Sequence, residues 1–191
     1  MNHQRIGRFV AVLIATAVAT IGALAGAGAA SASPGYTVSR GTTPYWIAPT
    51  IDSMAVSVAD ASTAPSTRII QWYNTGGDEQ KWYFDGVYDA YGNYVGFLLR
   101  NKHSQQCIDT DTYAGHTLYQ NTCDPNSRPT QIFNNFANYD AWGILISWRY
   151  QNLRSQLWMD VTGRSLNPGA NIVLWYQNYN DNQDFFLTQT S

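Results

Sequence analysis

The sequence predicts an all-β domain made of three similar units of about fifty residues, and three observations carry that prediction. The triplet Gln-x-aromatic recurs as Gln80-Lys81-Trp82, Gln131-Ile132-Phe133 and Gln183-Asp184-Phe185, at spacings of 51 and 52 residues. Short β-branched and aromatic runs alternate with polar, glycine-containing stretches such as 74–78 and 162–169, which is the pattern of strands joined by turns. No window after residue 32 keeps apolar residues at i, i+3, i+4 and i+7 long enough for an amphipathic helix.

Each unit repeats the same order of elements. An apolar strand opens it at Tyr45-Trp46-Ile47, Phe97-Leu98-Leu99 and Trp148-Arg149-Tyr150. Ten residues on comes a short strand, Ala55 to Val58, Cys107 to Thr110 and Trp158 to Val161. A third follows at Ile69 to Trp72, Leu118 to Asn121 and Ile172 to Trp175, and the Gln-x-aromatic triplet closes the unit. Approximate bounds are 41–90, 91–140 and 141–191. A short strand cannot bury its apolar face alone, so each unit requires the other two, with Trp82, Phe133 and Phe185 as shared core. The acidic residues are almost all Asp, with Glu79 the exception, and Lys is confined to Lys81 and Lys102. That composition favours turns over helix interiors.

Residues 1–32 read as a targeting segment. Arg5 and Arg8 precede a stretch from Phe9 to Ala32 without a charged side chain, and Ala30-Ser31-Ala32 offers small residues for cleavage after Ala32. The alternative is a retained anchor, since the stretch is long enough to span a bilayer. With cleavage, residues 33–191 form a single secreted domain. Both leader arginines are then lost from the 11 basic residues against 13 acidic ones, so the exported chain is acidic and a nucleic-acid partner is disfavoured. Cys107 and Cys123 are the only cysteines, and an exported context lets them form a disulfide whose loop restricts the unfolded chain by roughly 3 kcal/mol. Neither a CxxC pair nor clustered histidines suggest a metal. No cofactor motif is present, and a monomer is expected.

The middle unit carries Cys107-Ile108-Asp109, Gly115, Cys123 and Gln131-Ile132-Phe133; the third carries Met159-Asp160, Gly169, Leu174-Trp175 and Asn182-Gln183-Asp184-Phe185. These residues resemble the ricin B-chain-like lectin repeat, also found as a carbohydrate-binding module on secreted bacterial glycosidases. The resemblance implies a β-trefoil. It departs at the cysteines, for Ala55 with Asn74 and Trp158 with Gln177 stand where the other units would hold their pairs. Each pair is lost together, which supports the alignment and the Cys107–Cys123 bond.

The resemblance also implies a sugar held by the Asp, an aromatic platform at the Leu-Trp position and the Asn before Gln-x-Trp. A pyranose has an apolar face that stacks on a ring and hydroxyls that need fixed acceptors and donors. Only the third unit offers the full set, Asp160, Trp175 and Asn182, with Gln183 behind them and Asn178 as a further contact. The middle unit keeps Asp109 and Gln131, but has Asn121 at the platform position, Thr130 in place of the Asn and Tyr119 as a substitute stacking surface. In the first unit Ser57 replaces the Asp and Glu79 the Asn, so that unit is expected to be silent despite Trp72.

Plainer roles stand beside these. The three Gln amides are expected to satisfy backbone groups at turns; Asp109 and Asp160 have the alternative of capping turns; Trp72 and Trp175 have that of covered strand residues. His116 reads as a loop residue, or as lining of the middle pocket. The expectation is a secreted protein that binds a galactose-, xylose- or arabinose-like unit of a glycan without catalysis. The alternative is a protein-interaction or inhibitor scaffold with vestigial sugar sites. An enzyme is the least expected class, because no nucleophile elbow, metal motif or phosphate loop is present.

Overall fold

The computed structural model describes residues 35–190; the leader expected at 1–32 lies outside them. Thirteen strands run in chain order: β1 (Thr37–Ser39), β2 (Tyr45–Pro49), β3 (Ala55–Val58), β4 (Ile69–Trp72), β5 (Lys81–Tyr88), β6 (Tyr94–Asn101), β7 (Cys107–Asp109), β8 (Tyr119–Asn121), β9 (Phe133–Tyr139), β10 (Leu145–Asn152), β11 (Trp158–Val161), β12 (Ile172–Trp175) and β13 (Phe185–Gln189). Among the described residues, helical content is confined to five single 3-10 turns, of which Asp78–Gln80, Pro129–Gln131 and Asp181–Gln183 each end on the Gln of a repeat.

Six strands close a barrel. The pairings run β5–β6, β6–β9, β9–β10, β10–β13, β13–β2 and β2–β5, all antiparallel. Three hairpins, β3–β4, β7–β8 and β11–β12, supply the remaining two strands of each unit. They meet one another through single bridges, Arg68 with Tyr119, Ile70 with Asn171 and Thr117 with Val173. Closure leaves the barrel without free edges of its own.

The core is common to the three units, as a repeat of this kind requires. Trp82, Phe133 and Phe185 are fully buried in one cluster with Ile47, Leu99, Tyr150, Ile108 and Met159. The indole N–H of Trp82 donates to the Val56 carbonyl at 2.8 Å, so that ring is buried without an orphan donor. Truncating one of these rings to Ala would cost about 3–5 kcal/mol.

The Gln of each triplet is structural, and the same bonds recur three times. Gln80 Nε2 donates to the Tyr73 carbonyl and its Oε1 accepts the Thr75 N–H. Gln131 does likewise with Thr122 and Asp124, and Gln183 with Tyr176 and Asn178. Each fully buried amide thus ties the loop after the third strand of its unit to the 3-10 turn.

A second threefold set links neighbouring units. Ser66, Gly115 and Gly169, all at positive φ, donate their N–H groups to the carbonyls of Gln120, Leu174 and Gln71 at 2.8, 2.7 and 2.8 Å. The turn of one unit is therefore pinned against the platform strand of the next. Strand β1 stands outside the repeat: it adds to β5, and Arg40 and Gly41 behind it bind the buried Asp85. The disulfide joins Cys107 to Cys123, with Cα atoms 5.0 Å apart.

Candidate functional site

The cleft beside the third unit is built on hairpin β11–β12. Asp160 on β11 pairs with Val173, and Trp158 pairs with Trp175 at the end of β12, so carboxylate and indole issue from adjoining strands of one ribbon. After Trp175 the chain loops back through Asn178 to the 3-10 turn at Asp181–Gln183. That loop is shaped by Gln183, whose amide holds the Tyr176 carbonyl and the Asn178 N–H.

Asp160 sits at the floor and is nearly buried. Asn182 Nδ2 donates to Oδ1 at 2.8 Å, while Gln183 Nε2 and Asn178 Nδ2 donate to Oδ2 at 2.8 and 3.2 Å. Burial nevertheless outweighs the three amides, which favour the charged form, and pushes the carboxyl up to about 6. Asn182 also donates to the Val161 carbonyl, which fixes its orientation. The result is an acceptor held rigidly by neutral donors and facing an open space.

That space is a cleft of about 490 Å³ lined by Asp160, Asn178, Asn182, Trp175, Arg164 and Gly115. Trp175 is 42% exposed, so the reading of it as a covered strand residue does not hold. Arg164 is tied to Asp181 at 2.7 Å on one wall. The opposite wall belongs to the middle unit, whose turn brings Gly115 against the Trp175 ring. Gln71 and Gln120 clamp the corresponding turns elsewhere by donating to two carbonyls each. Leu174 stands at their position here, and the turn is held instead by a 2.5 Å contact between His116 Nδ1 and Asp111 Oδ2. His116 therefore braces the turn that brings Gly115 to the third cleft and does not itself line that cleft.

The middle unit differs. Asp109 is 1% exposed and already occupied: Thr130 Oγ1 donates to it at 2.6 Å and Arg128 Nη1 at 3.3 Å. Tyr119 pairs across the hairpin with Asp109, and Asn121 with Cys107; both are half-buried, and Gln131 is fully buried. Arg128 is the residue that sequence reasoning missed. Its place in an irregular loop gives no periodic signal, and only its charge near an unmatched Asp could have suggested it.

The first unit keeps an open cleft of about 340 Å³ lined by Ser57, Trp72, Glu79, Arg68, Asp60 and Thr75. Trp72 is 41% exposed, as free as Trp175. Ser57 is turned to the Val58 carbonyl, and the carboxylates at this cleft come from Asp60 and from Glu79, the latter at the register of Asn182.

Residues 35–121 match the family model described as ricin-type beta-trefoil lectin domain-like. Over that segment the chain resembles a ricin B-type β-trefoil lectin-like domain. The match ends with β8, so the third unit of the trefoil enters through the pseudo-symmetry of the fold. No curated protein sequence matches the chain. Among solved structures the trefoil is similar to ThreeFoil, a designed 3-fold symmetric protein, at 23% identity and a TM-score of 0.63, over 76% of this chain and 97% of that one. It is similar to the C-half of an earthworm R-type lectin in complex with GalNAc, at 21% identity and a TM-score of 0.58, over 78% and 100%. The Macrolepiota procera ricin B-like lectin in complex with lactose is 17% identical, with a TM-score of 0.61, over 81% and 99%. At these identities the likeness is one of fold.

Proposed function

We propose that this trefoil is a secreted carbohydrate-binding protein whose third unit holds a neutral galactose-, xylose- or arabinose-like unit of a glycan. The observation that carries the reading is the pairing of a half-exposed Trp175 with a preorganised Asp160 in one open cleft. The indole offers an apolar face for the ring, and Asp160 and Asn182 meet its hydroxyls. Asn178 stands at the cleft edge as a further contact, whereas Gln183 acts through Asp160 and the loop rather than on the sugar. The lectins above bound to GalNAc and lactose support the ligand class. Export follows from the leader at 1–32, and Ser33 is the expected first residue of secreted material by mass spectrometry.

Binding without catalysis suits the cleft. Glycoside hydrolysis needs two carboxylates across the scissile bond, and Asp160 is the only carboxylate among the described residues that line this space. Titration calorimetry with galactosides, xylo- and arabino-oligosaccharides should give a single site with Kd on the order of 0.1–1 mM. Absence of heat with every neutral glycan would overturn the reading. The second reading, a protein-interaction or inhibitor scaffold, is favoured by the middle unit, where Arg128 and Thr130 have closed on Asp109.

A further inference from the structure

The turns that join β5 to β6 and β9 to β10 are one structure made twice. Asp89 Oδ1 accepts the N–H groups of Tyr91 and Asn93 at 2.9 Å each, and Asp140 Oδ1 those of Trp142 and Ile144 at 2.9 and 2.8 Å. Gly92 and Gly143 follow at φ of +81° and +79°, where only glycine is comfortable. Aspartate and glycine thus fix both turns, and the geometry asks nothing of the residue between them. Those positions nevertheless hold Tyr91 and Trp142, 84% and 86% exposed, more than any other large apolar or aromatic side chain among the described residues. Two rigid turns keep two rings in water, so burying them costs little ordering entropy.

Both tips leave the same end of the barrel, because β5 and β9 each run antiparallel to β6. Apolar surface continues behind the second tip through exposed Ile144, Leu145 and Ile146. Pairing between β10 and β13 reaches only Trp148 with Phe185, and where the strands part a groove of about 250 Å³ opens, lined by Leu145, Ile146, Trp148, Phe186 and Leu187. No lysine or arginine occurs in residues 86–96 or 137–147.

We propose that this barrel end docks on the surface of a zwitterionic lipid bilayer, with Tyr91 and Trp142 at the headgroup level and the β10–β13 groove taking an acyl segment. Two fixed tips facing one way suit a plane better than a peptide. Aromatic rings at the front with aliphatic side chains behind match the polarity gradient of a membrane interface. Two turns with two aspartates and no lysine or arginine of their own, the nearby Arg40 being paired with Asp85, are unsuited to anionic lipid or nucleic acid. A glycan platform would need several free hydroxyl-bonding groups beside the rings, whereas Asp89 is engaged by its own turn through both oxygens and Asp140 through Oδ1. Docking is peripheral, since no helix among the described residues is long and apolar enough to cross a membrane. The inference is independent of the sugar-binding reading.

The test is co-sedimentation of the full chain with sucrose-loaded phosphatidylcholine vesicles, comparing wild type with Tyr91→Ser/Trp142→Ser. The double variant is expected to lose at least tenfold in bound fraction with an unchanged melting temperature. Brominated phosphatidylcholine should quench wild-type emission, and Trp142→Phe should still sediment while losing that quenching. Lack of vesicle binding by wild type would overturn the proposal. So would equal binding by the double variant, which would assign binding to the N-terminal apolar stretch. Binding that rises with added phosphatidylglycerol, tip-dependent retention on insoluble cellulose or chitin in place of vesicles, or a tip-dependent dimer in their absence would each do the same.

Discussion

The six-membered ring of Trp175 lies 3.0 Å from the point that a Cβ on Gly115 would occupy. The two residues come from different units, and the ring pose in the third cleft is set by a turn of the second. Gly115→Ala places a methyl against the indole and strains a backbone at φ +84°, a conformation that costs about 1–3 kcal/mol for other residues. The expected result is sugar affinity weakened several-fold together with a lower melting temperature. Gly169→Ala is the control, because its Cβ would meet Trp72 at an ordinary 3.5 Å. It should lower stability and leave affinity alone.

Trp175→Ala removes the platform. Loss of a ring contact of the order of 1 kcal/mol or more takes millimolar binding below detection. Asp160→Ala removes a charge-assisted acceptor worth roughly 1.5–3 kcal/mol and should do the same in a folded protein. Trp72→Ala should leave binding at the third cleft unchanged. Affinity electrophoresis of the three variants decides, and loss of binding with Trp72→Ala alone would move the site to the first unit.

Sugar affinity should fall with acid. Asp160 is a charge-assisted acceptor only when ionised, and burial holds its carboxyl up at about 6, so binding is strongest above pH 7 and weakens as the pH falls through about 6. Stability runs the other way. A carboxyl raised above its unfolded value of 3.8 contributes stability that is complete below that value and lost as pH rises through about 6. Calorimetry from pH 4.5 to 8, with melting curves of wild type and Asp160→Ala over the same range, measures both trends.

Reducing the Cys107–Cys123 bond releases a loop of sixteen residues' separation. The expected loss is roughly 3 kcal/mol, read as a lower urea midpoint in the presence of dithiothreitol. Sugar affinity of the protein that remains folded should not change, because neither cysteine lines the third cleft.

The strands and the shared core were legible in the sequence because Gln-x-aromatic keeps constant spacing, and a buried amide and a buried ring both demand a fixed register. The set Asp160, Trp175, Asn178, Asn182 and Gln183 came from the resemblance to the lectin repeat, carried over position by position, and the structure places all five side by side. Closure of the middle site was not legible. It depends on Arg128, whose reach to Asp109 is set by the path of an irregular loop. The first cleft was read as silent from Ser57, yet its Trp72 stays exposed beside Glu79, since an acid displaced to another position of the repeat falls outside a motif written position by position. Strand β1 lies outside the repeat and had no partner unit to reveal it.

Strand β13 closes the barrel against β2, with Gln189 opposite Tyr45 and the Thr190 N–H on the Pro44 carbonyl. The second strand to be synthesised thus waits for the last before its edge is covered, and the order of synthesis cannot be the order of folding. A nascent chain lacking its final dozen residues has every hairpin but no closed wall. Removing β13 should therefore yield an open, association-prone sheet. A permuted chain with its ends joined across Pro44 and Thr190 and reopened within 89–93 should keep the native topology.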